Sequence, residues 1–408
     1  MSPVAVATES VAAAPVATAP VLMKGNEAMA EAAVQAGCDA YFGYPITPQA
    51  EVLEWMARRM PELGRTFIQA ESELGAINMA LGAAAAGARV FVSSSSPGIS
   101  LMAEGMSYMA GSEVPMVLLN VMRGGPGLGS IGASQSDYFQ ATKGHGHGDY
   151  HVPVLAPSSI EEAVALVADS FEIAERYRTP VMILADGVLG QQMEPVVPAY
   201  RTPERQDFDW ALTGTGGTRP PRVVRSLHLQ PYELEEHNEH LQKKFAQITQ
   251  HEVRFATQDL DDAEILLVGY GTAARVAQTA CERARAIGIK AGIFRPITLW
   301  PFPSQALREA AAKVNAVVVV ELSAGQMIED VRLALEGSRP ITFIGRTGGM
   351  IPTPAAVLET IRDAALESEP DYFVPADQDA ATSAPVAREH EEKCPESAQG
   401  LYPVELFE

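Results

Sequence analysis

The chain has 408 residues, of which 47% are hydrophobic and 20% charged, so it is long enough for two domains and has a globular composition. Aspartate and glutamate outnumber lysine and arginine by 51 to 30, and the formal net charge is -21. Such a charge repels nucleic acids and anionic membrane surfaces, so we expect neither as a partner.

The first 22 residues are rich in Ala, Val and Pro and predict a disordered arm. They lack the basic start and the continuous apolar stretch of a signal peptide, and the chain contains no run of about 18 apolar residues. We therefore expect a cytoplasmic protein with no membrane segment. At the other end, residues 366–408 predict an acidic, solvated tail.

Short apolar stretches alternate with helical patterns from residue 23 to residue 195. The predicted strands lie at residues 40–44, 66–69, 89–93, 116–121, 152–155 and 181–184. The predicted helices lie at residues 25–36, 50–60, 73–87, 100–110 and 160–176. Strands that alternate with helices at this spacing predict a parallel sheet covered by helices on both faces.

Residues 196–262 break this alternation. The segment TGTGGTRPPR is typical of a loop and YELEEHNEHLQKKFAQI of a charged helix, so we interpret the region as a surface connector between domains. The alternation returns at residues 263–365 and predicts a second, smaller domain. The predicted fold class is α/β with two parallel-sheet domains.

The three cysteines, Cys38, Cys281 and Cys394, form no C-x-x-C pair. Their number and spacing exclude a disulfide framework. An iron–sulfur cluster usually needs four thiolates, so we expect no such cluster on this chain.

Polar residues follow several of the predicted strands. Thr47 is held between two prolines in GYPITPQ, and Glu71 and Glu73 precede a helix rich in Ala and Gly. The run SSSSPG at residues 93–98 precedes another helix. Each has a structural explanation as well as a functional one: a rigid turn, a helix-dipole contact worth about 0.3–1 kcal/mol, or a helix cap.

The segment RGGPGLG at residues 123–129 follows the apolar strand MVLLNV. Gly124, Gly125 and Gly127 would let a ligand approach the backbone closely, and Arg123 offers a planar fork suited to a carboxylate or phosphate. An unliganded turn is the alternative interpretation. The segment lacks the G-x-x-x-x-G-K-[ST] pattern of a P-loop.

The run SQSDYFQATKGHGHGDYH contains Asp137, Lys143, His145, His147 and His151. Its His-x-His element suggests a metal site, but no acid and histidine have the spacing of a zinc site. We therefore predict no metal here and interpret the run as a mobile polar loop.

The carboxyl ends of parallel strands lie at one edge of a sheet, so we expect these segments to converge there. An arginine, one or two glutamates, a constrained threonine and glycine loops together suit an anionic ligand.

Five of these segments resemble the alpha subunit of 2-oxoacid:ferredoxin oxidoreductases, in the family's order and with similar spacing. They are GYPITPQAEVLEWM, QAESELGAINMALGAAAAGARV, SSSSPGISLMAEG, NVMRGGPGLG and SQSDYFQATKGHGHGDY. The resemblance covers residues 23–195, and residues 264–345 resemble the family's second domain, which is like the C-terminal domain of transketolase. The arm, connector and tail fall outside it.

The resemblance implies a role for each matched residue. The first domain would be the pyrimidine-binding type of thiamine diphosphate domain. Glu73 matches the glutamate that hydrogen-bonds the aminopyrimidine and activates the cofactor, with Glu71 as the neighbouring candidate. Thr47 and Arg123 match positions that contact the 2-oxo acid, and Arg123 would pair with the carboxylate of that acid. The glycines of residues 124–129 would approach substrate or coenzyme A.

The Gly-Asp-Gly segment with a later Asn, which holds the Mg2+ and diphosphate in these enzymes, has no match here. The nearest strings are Ala185-Asp186-Gly187 and Gly148-Asp149-Tyr150. The resemblance therefore implies a beta subunit that supplies the diphosphate half of the site with Mg2+. Iron–sulfur clusters would lie on that subunit or on small ferredoxin-like subunits, with ferredoxin as electron acceptor.

Three functions remain open on the sequence alone. The resemblance favours CoA-dependent oxidative decarboxylation of a 2-oxo acid, either 2-oxoglutarate or 3-methyl-2-oxobutanoate, to acyl-CoA and CO2. The alternatives are a component of a lipoamide-linked 2-oxoacid dehydrogenase and a non-catalytic anion-binding scaffold of the same fold.

Overall fold

The computed structural model describes residues 19–144, 146–197 and 207–368. Up to residue 197 the elements are β1 (Val21–Lys24), α1 (Gly25–Gln35), β2 (Ala40–Gly43), α2 (Ala50–Glu62), β3 (Thr66–Gln69), α3 (Glu73–Ala85), β4 (Val90–Ser94), α4 (Ser96–Ser112), β5 (Met116–Met122), α5 (Tyr138–Lys143), β6 (Val154–Leu155), α6 (Ile160–Tyr177), β7 (Pro180–Asp186), α7 (Gly187–Gln191) and β8 (Met193–Val196).

The elements after residue 207 are α8 (Pro231–His251), β9 (Phe255–Gln258), β10 (Ile265–Val268), α9 (Gly271–Ala286), β11 (Ala291–Pro296), β12 (Thr298–Trp300), α10 (Ser304–Ala311), β13 (Ala316–Glu321), α11 (Met327–Leu335), β14 (Ile341–Gly345) and α12 (Pro354–Ser368). No helix in the described ranges has both the length and the apolar character needed to cross a bilayer.

A seven-stranded sheet has the order β12-β6-β7-β5-β4-β2-β3, and all of its pairs except β12–β6 are parallel. Every residue of the central strands β5 and β7 is buried, as expected for strands covered on both faces. The predicted parallel sheet is confirmed. Strands β2, β3, β4 and β5 therefore end at the same edge, with their following polar segments beside one another.

A second sheet has the order β14-β13-β10-β11-β9 and is parallel except for β9. Its central strands ILLV and AVVVVE are buried along their whole length. This confirms a second parallel-sheet region.

The structure also contains strands that the sequence patterns did not predict. Val21 and Leu22, placed in the predicted arm, belong to β1 and pair with β8. Strand β9 lies within the predicted connector yet pairs with β11 of the second sheet. Strand β12 pairs with β6 of the first sheet. These strands are too short to show an alternation of apolar and polar residues. They form because they pair with strands that are distant in the sequence.

Helix α3 packs closely against α4 because both helices carry small residues where they meet. Ala76, Ala80 and Ala84 are fully buried. A Cβ atom on Gly105 of α4 would come 2.5 Å from the Ile77 side chain, so only glycine fits there. This packing fixes the two helix starts that flank the candidate site.

The charged helix predicted in the connector is α8, and it is docked rather than free. Leu241, Phe245 and Ile248 are buried. Lys244 Nζ donates to Glu113 Oε1 at 3.0 Å. Burial lowers the pKa of Lys244, and the Glu113 carboxylate opposes that shift.

The two sheet regions are joined by buried hydrogen bonds from the segment that the sequence suggested was a mobile loop. Gln135 donates through Nε2 to the Tyr270 carbonyl at 2.8 Å and accepts from the Leu322 amide at 3.0 Å. Tyr138, fully buried at the start of α5, donates to Asp330 at 2.6 Å. The mobile-loop interpretation is therefore wrong for residues 134–143, because tertiary contacts order them.

Candidate active site

Glu73 is the first residue of α3, and its side chain is buried beside the start of α4. Ser72 caps the helix by accepting a hydrogen bond from the Gly75 amide at 3.2 Å. Glu73 is only 5% exposed, and a Cβ atom on Gly98 would come 2.6 Å from its Oε1. No described residue donates a hydrogen bond to the Glu73 carboxylate. Glu71, the neighbouring candidate, is exposed.

Several buried polar atoms in the segments at the carboxyl ends of β2 and β4 lack partners among the described residues: Ser94 Oγ, Ser95 Oγ and Gln49 Nε2. The same Gly98 position that touches Glu73 also touches Ser94 Oγ. Gln49 is oriented by Ser93 Oγ, which lies 2.7 Å from its Oε1 and 2.7 Å from the Tyr41 hydroxyl. Because most buried polar groups are hydrogen-bonded, the unpaired Ser94 hydroxyl close to the buried Glu73 carboxyl is available to a polar ligand.

Thr47 and Arg123 are brought together at the ends of β2 and β5. Arg123 Nη1 donates to the Thr47 carbonyl at 3.0 Å, and Nη2 donates to the Leu128 carbonyl at 3.1 Å. Arg123 is 8% exposed, whereas Thr47 is exposed. Arg123 Nε is buried and has no partner among the described residues. The guanidinium thus braces the glycine loop and still has a hydrogen-bond donor to offer.

The glycine loop lines a cavity of about 730 Å³. A Cβ atom on Gly124 would lie 3.1 Å from the Gly348 backbone, and Gly127 has a φ of +66°, so neither position suits a larger residue. The cavity is formed by both sheet regions, and its lining residues are mostly small and polar: Ser96, Pro97, Ser100, Gly124, Gly125, Pro126, Gly127, Ser134, Ser136, Asp137, Gln140, Ser323, Ala324, Gln326, Thr347 and Gly348.

Asp137 is the charged residue among the described lining residues. Its Oδ2 accepts hydrogen bonds from Ser96 Oγ at 2.6 Å and from Asn120 Nδ2 at 2.9 Å. Burial raises the pKa of Asp137, while Ser96, Asn120 and the charge of Arg123 oppose that shift. Sequence reasoning noted Asp137 but assigned it no role, because nothing in its spacing showed that it would face Ser96.

The string Ala185-Asp186-Gly187 does not offer a carboxylate for a metal. Asp186 Oδ1 accepts from the amides of Val188 and Leu189, each at 3.1 Å, and from Thr272 Oγ1 at 2.7 Å. Its Oδ2 accepts from the Thr272 amide at 3.0 Å. Asp186 is 1% exposed and is fully used in capping α7 and joining it to the start of α9. Asp149, in the other string, is exposed.

The histidine run is dispersed by the fold. His151 stacks on Trp300 with ring centroids 4.7 Å apart, and burial lowers its pKa. His147 has its carbonyl bonded by Ser107, and His145 lies outside the described residues. Within the described ranges no group of three metal-binding side chains comes together. Cys38 and Cys281 are buried in two separate hydrophobic cores.

Two family models match the chain. The model for the thiamine diphosphate-binding domain of pyruvate flavodoxin/ferredoxin oxidoreductase matches residues 31–253, and the model for pyruvate:ferredoxin oxidoreductase core domain II matches residues 263–357. The first match includes α8, so placing the connector outside the resemblance was wrong for this part of it. The sequence predicts the helix α8, but the weak apolar stripe and high charge of this helix do not indicate that it packs against the rest of the chain.

Curated relatives agree with these models. The chain is 50% identical over 348 residues to the ketoisovalerate oxidoreductase subunit VorB of Methanothermobacter thermautotrophicus, covering 85% of this chain and 98% of the relative. It is 38% identical over 320 residues to the 2-oxoglutarate synthase subunit KorA of Archaeoglobus fulgidus, covering 76% of this chain and 90% of the relative.

Solved structures show the same fold. A 2-oxoglutarate:ferredoxin oxidoreductase from Magnetococcus marinus, with 2-oxoglutarate, coenzyme A and succinyl-CoA bound, matches with a TM-score of 0.77 at 26% identity. The match covers 85% of this chain and 65% of that chain. A split-gene transketolase matches in fold alone, with a TM-score of 0.55 at 15% identity. The chain therefore belongs to the 2-oxoacid:ferredoxin oxidoreductase family, as a subunit that carries its thiamine diphosphate-binding domain.

Proposed function

We propose that this chain is the alpha-type subunit of an enzyme that oxidatively decarboxylates 3-methyl-2-oxobutanoate to its acyl-CoA and CO2, with ferredoxin as electron acceptor. The observation that carries the choice of substrate is the 50% identity to VorB over 98% of that relative, against 38% to KorA.

Glu73 is proposed to hydrogen-bond the aminopyrimidine of thiamine diphosphate. Its side chain is 5% exposed, lies against Gly98 at the start of α4 and accepts no hydrogen bond from a described residue. When bound, thiamine diphosphate supplies the nucleophilic carbon and the electron sink for decarboxylation. Glu73 then holds or shares a proton with a ring nitrogen, a role that typically contributes about 10²–10⁴-fold to rate.

Arg123 and Thr47 are proposed to orient the 2-oxo acid. Their loops are locked together by the Arg123–Thr47 hydrogen bond of 3.0 Å, so both side chains start from fixed backbones. Arg123 Nε is buried without an acceptor among the described residues. A substrate carboxylate would satisfy this donor and neutralise the guanidinium. Gly124, Gly125 and Gly127 would line the path by which substrate or coenzyme A approaches.

The diphosphate half of the cofactor site, with its Mg2+, is proposed to lie on a beta subunit. Asp186 supports this proposal because four hydrogen bonds already occupy its carboxylate. Iron–sulfur clusters are assigned to the beta subunit or to small ferredoxin-like subunits, because Cys38 and Cys281 are buried in separate cores.

The test is dye reduction by the complex reconstituted from its subunits, with coenzyme A and a panel of 2-oxo acids. We expect the highest kcat/KM with 3-methyl-2-oxobutanoate. A higher kcat/KM with 2-oxoglutarate would refute the proposed substrate and leave the family assignment intact. Activity that requires lipoamide instead of ferredoxin or a dye would favour the dehydrogenase alternative, and no turnover with any 2-oxo acid would favour the scaffold.

A further inference from the structure

Arg123 is anchored at its backbone as well as at its guanidinium. The Arg123 amide donates to Ser96 Oγ at 3.0 Å, and Ser96 is the first residue of α4. Ser96 Oγ lies 2.6 Å from Asp137 Oδ2 and 3.3 Å from the Arg123 carbonyl. A hydroxyl has one hydrogen to donate. The Asp137 carboxylate is closer than the Arg123 carbonyl and is the stronger acceptor of the two, so it receives that hydrogen. Asp137 therefore orients the Ser96 hydroxyl so that its lone pair faces the Arg123 amide.

Asn120 closes this arrangement into a ring. Its Nδ2 donates to Asp137 Oδ2 at 2.9 Å, and its Oδ1 accepts from the Ser96 amide at 3.2 Å. Asn120 and Ser96 are both buried. One oxygen of Asp137 thus fixes two side chains from two elements, β5 and α4, at the place where Arg123 leaves the sheet.

We propose that Asp137 is a positioning residue for the substrate-binding arginine, acting through Ser96 and Asn120 on the backbone of Arg123. This inference rests on the proposed function, in which Arg123 binds the 2-oxo acid carboxylate. Through Ser96, Asp137 connects the glycine loop to the start of α4. Gly98, in the same turn of α4, contacts Glu73.

The positioning role requires an acceptor atom and not a titrating acid. Asp137→Asn keeps an amide oxygen for Ser96 and Asn120. Asp137→Ala leaves the Asn120 amide without its acceptor and leaves the Ser96 hydroxyl only the longer contact of 3.3 Å to the Arg123 carbonyl. We expect Asp137→Ala to raise the KM of the reconstituted complex for the 2-oxo acid about tenfold, with a smaller change in kcat. We expect Asp137→Asn to stay within about threefold of wild type, with an unchanged pH profile of kcat. Asp149→Ala, which removes an exposed acid, is the matched control.

A double-mutant cycle with Arg123→Lys shows whether Asp137 acts through Arg123. If it does, Asp137→Ala should add little to the KM already raised by Arg123→Lys. Ser96→Ala removes the same link without touching Asp137, so it should show the same non-additivity even if Asp137→Ala folds poorly.

Fully additive effects on KM would overturn the inference, and so would an Asp137→Asn variant as impaired as Asp137→Ala with a shifted pH profile. If Arg123→Lys alone leaves KM unchanged, the proposed role of Arg123 fails, and the inference fails with it. If Arg123→Lys raises KM while Asp137→Ala does not, the inference alone fails.

Discussion

Glu73→Gln gives the sharpest test of the candidate site. Glutamine has nearly the same shape, so the change keeps the packing and removes the negative charge and the ability to hold or share a proton. Glu73 is 5% exposed and packed against Gly98, which leaves little room for water to substitute for the carboxylate. We therefore expect kcat of the reconstituted complex to fall about 10²–10⁴-fold, the range for lost acid/base assistance. Assembly with the partner subunit should be unaffected.

The assay has two readouts: dye reduction with the 2-oxo acid and coenzyme A, and exchange of the C2 proton of bound thiamine diphosphate followed by NMR. Glu71→Gln is the matched control, since Glu71 lies two residues away and is exposed. Gly98→Ala is a second probe, because its Cβ would come 2.6 Å from Glu73 Oε1 and displace it. A near-wild-type Glu73→Gln beside a crippled Glu71→Gln would show that the activating glutamate is Glu71.

Three further results are expected. Asp186→Ala should lower the free energy of unfolding by at least about 2 kcal/mol, since a helix cap is worth about 1 kcal/mol and a hydrogen bond to a charged group about 1.5–3 kcal/mol; a change in denaturant midpoint no larger than that of Asp149→Ala would contradict the assigned contacts. The isolated chain should bind thiamine diphosphate weakly and show no cluster absorption near 400 nm, and dye reduction by the chain alone would remove the need for a beta subunit. Cys38, whose pKa burial raises to about 12, should resist alkylation in the native chain, as peptide mapping would show.

Much of the architecture could be predicted because its causes are local. Strands such as ILLV and AVVVVE are apolar along their whole length, which marks strands buried on both faces, and they alternate with helical periods. Strand β12 could not be predicted in the same way. Its three residues join the first sheet by pairing with β6, although they follow β11 of the second sheet in the chain. A pairing between distant segments produces no repeating hydrophobic pattern within either segment, so the sequence alone does not show it.

The candidate site shows the same division. Thr47 and Arg123 were singled out from their own neighbourhoods, yet the hydrogen bond between them spans 76 positions and follows from the sheet order. The burial of Glu73 likewise depends on Gly98, which belongs to a different helix. Sequence reasoning named these residues because each follows a strand. It missed the connection through Asp137, because that connection exists only once α4, β5 and the segment before α5 are assembled.

The contacts of Asp186 explain why this chain does not supply a carboxylate for Mg2+ from the segment Ala185-Asp186-Gly187. The sequence lacks a Gly-Asp-Gly segment, and Ala185-Asp186-Gly187 is one of the two strings nearest to it. In the fold, both carboxylate oxygens of Asp186 accept hydrogen bonds, and two of the four donors belong to Thr272 of the second sheet region. Recruiting Asp186 to a metal would break the cap of α7 and a contact between the two regions. The residue is therefore already committed to holding the subunit together, and this is why the Mg2+–diphosphate ligands are expected from another chain.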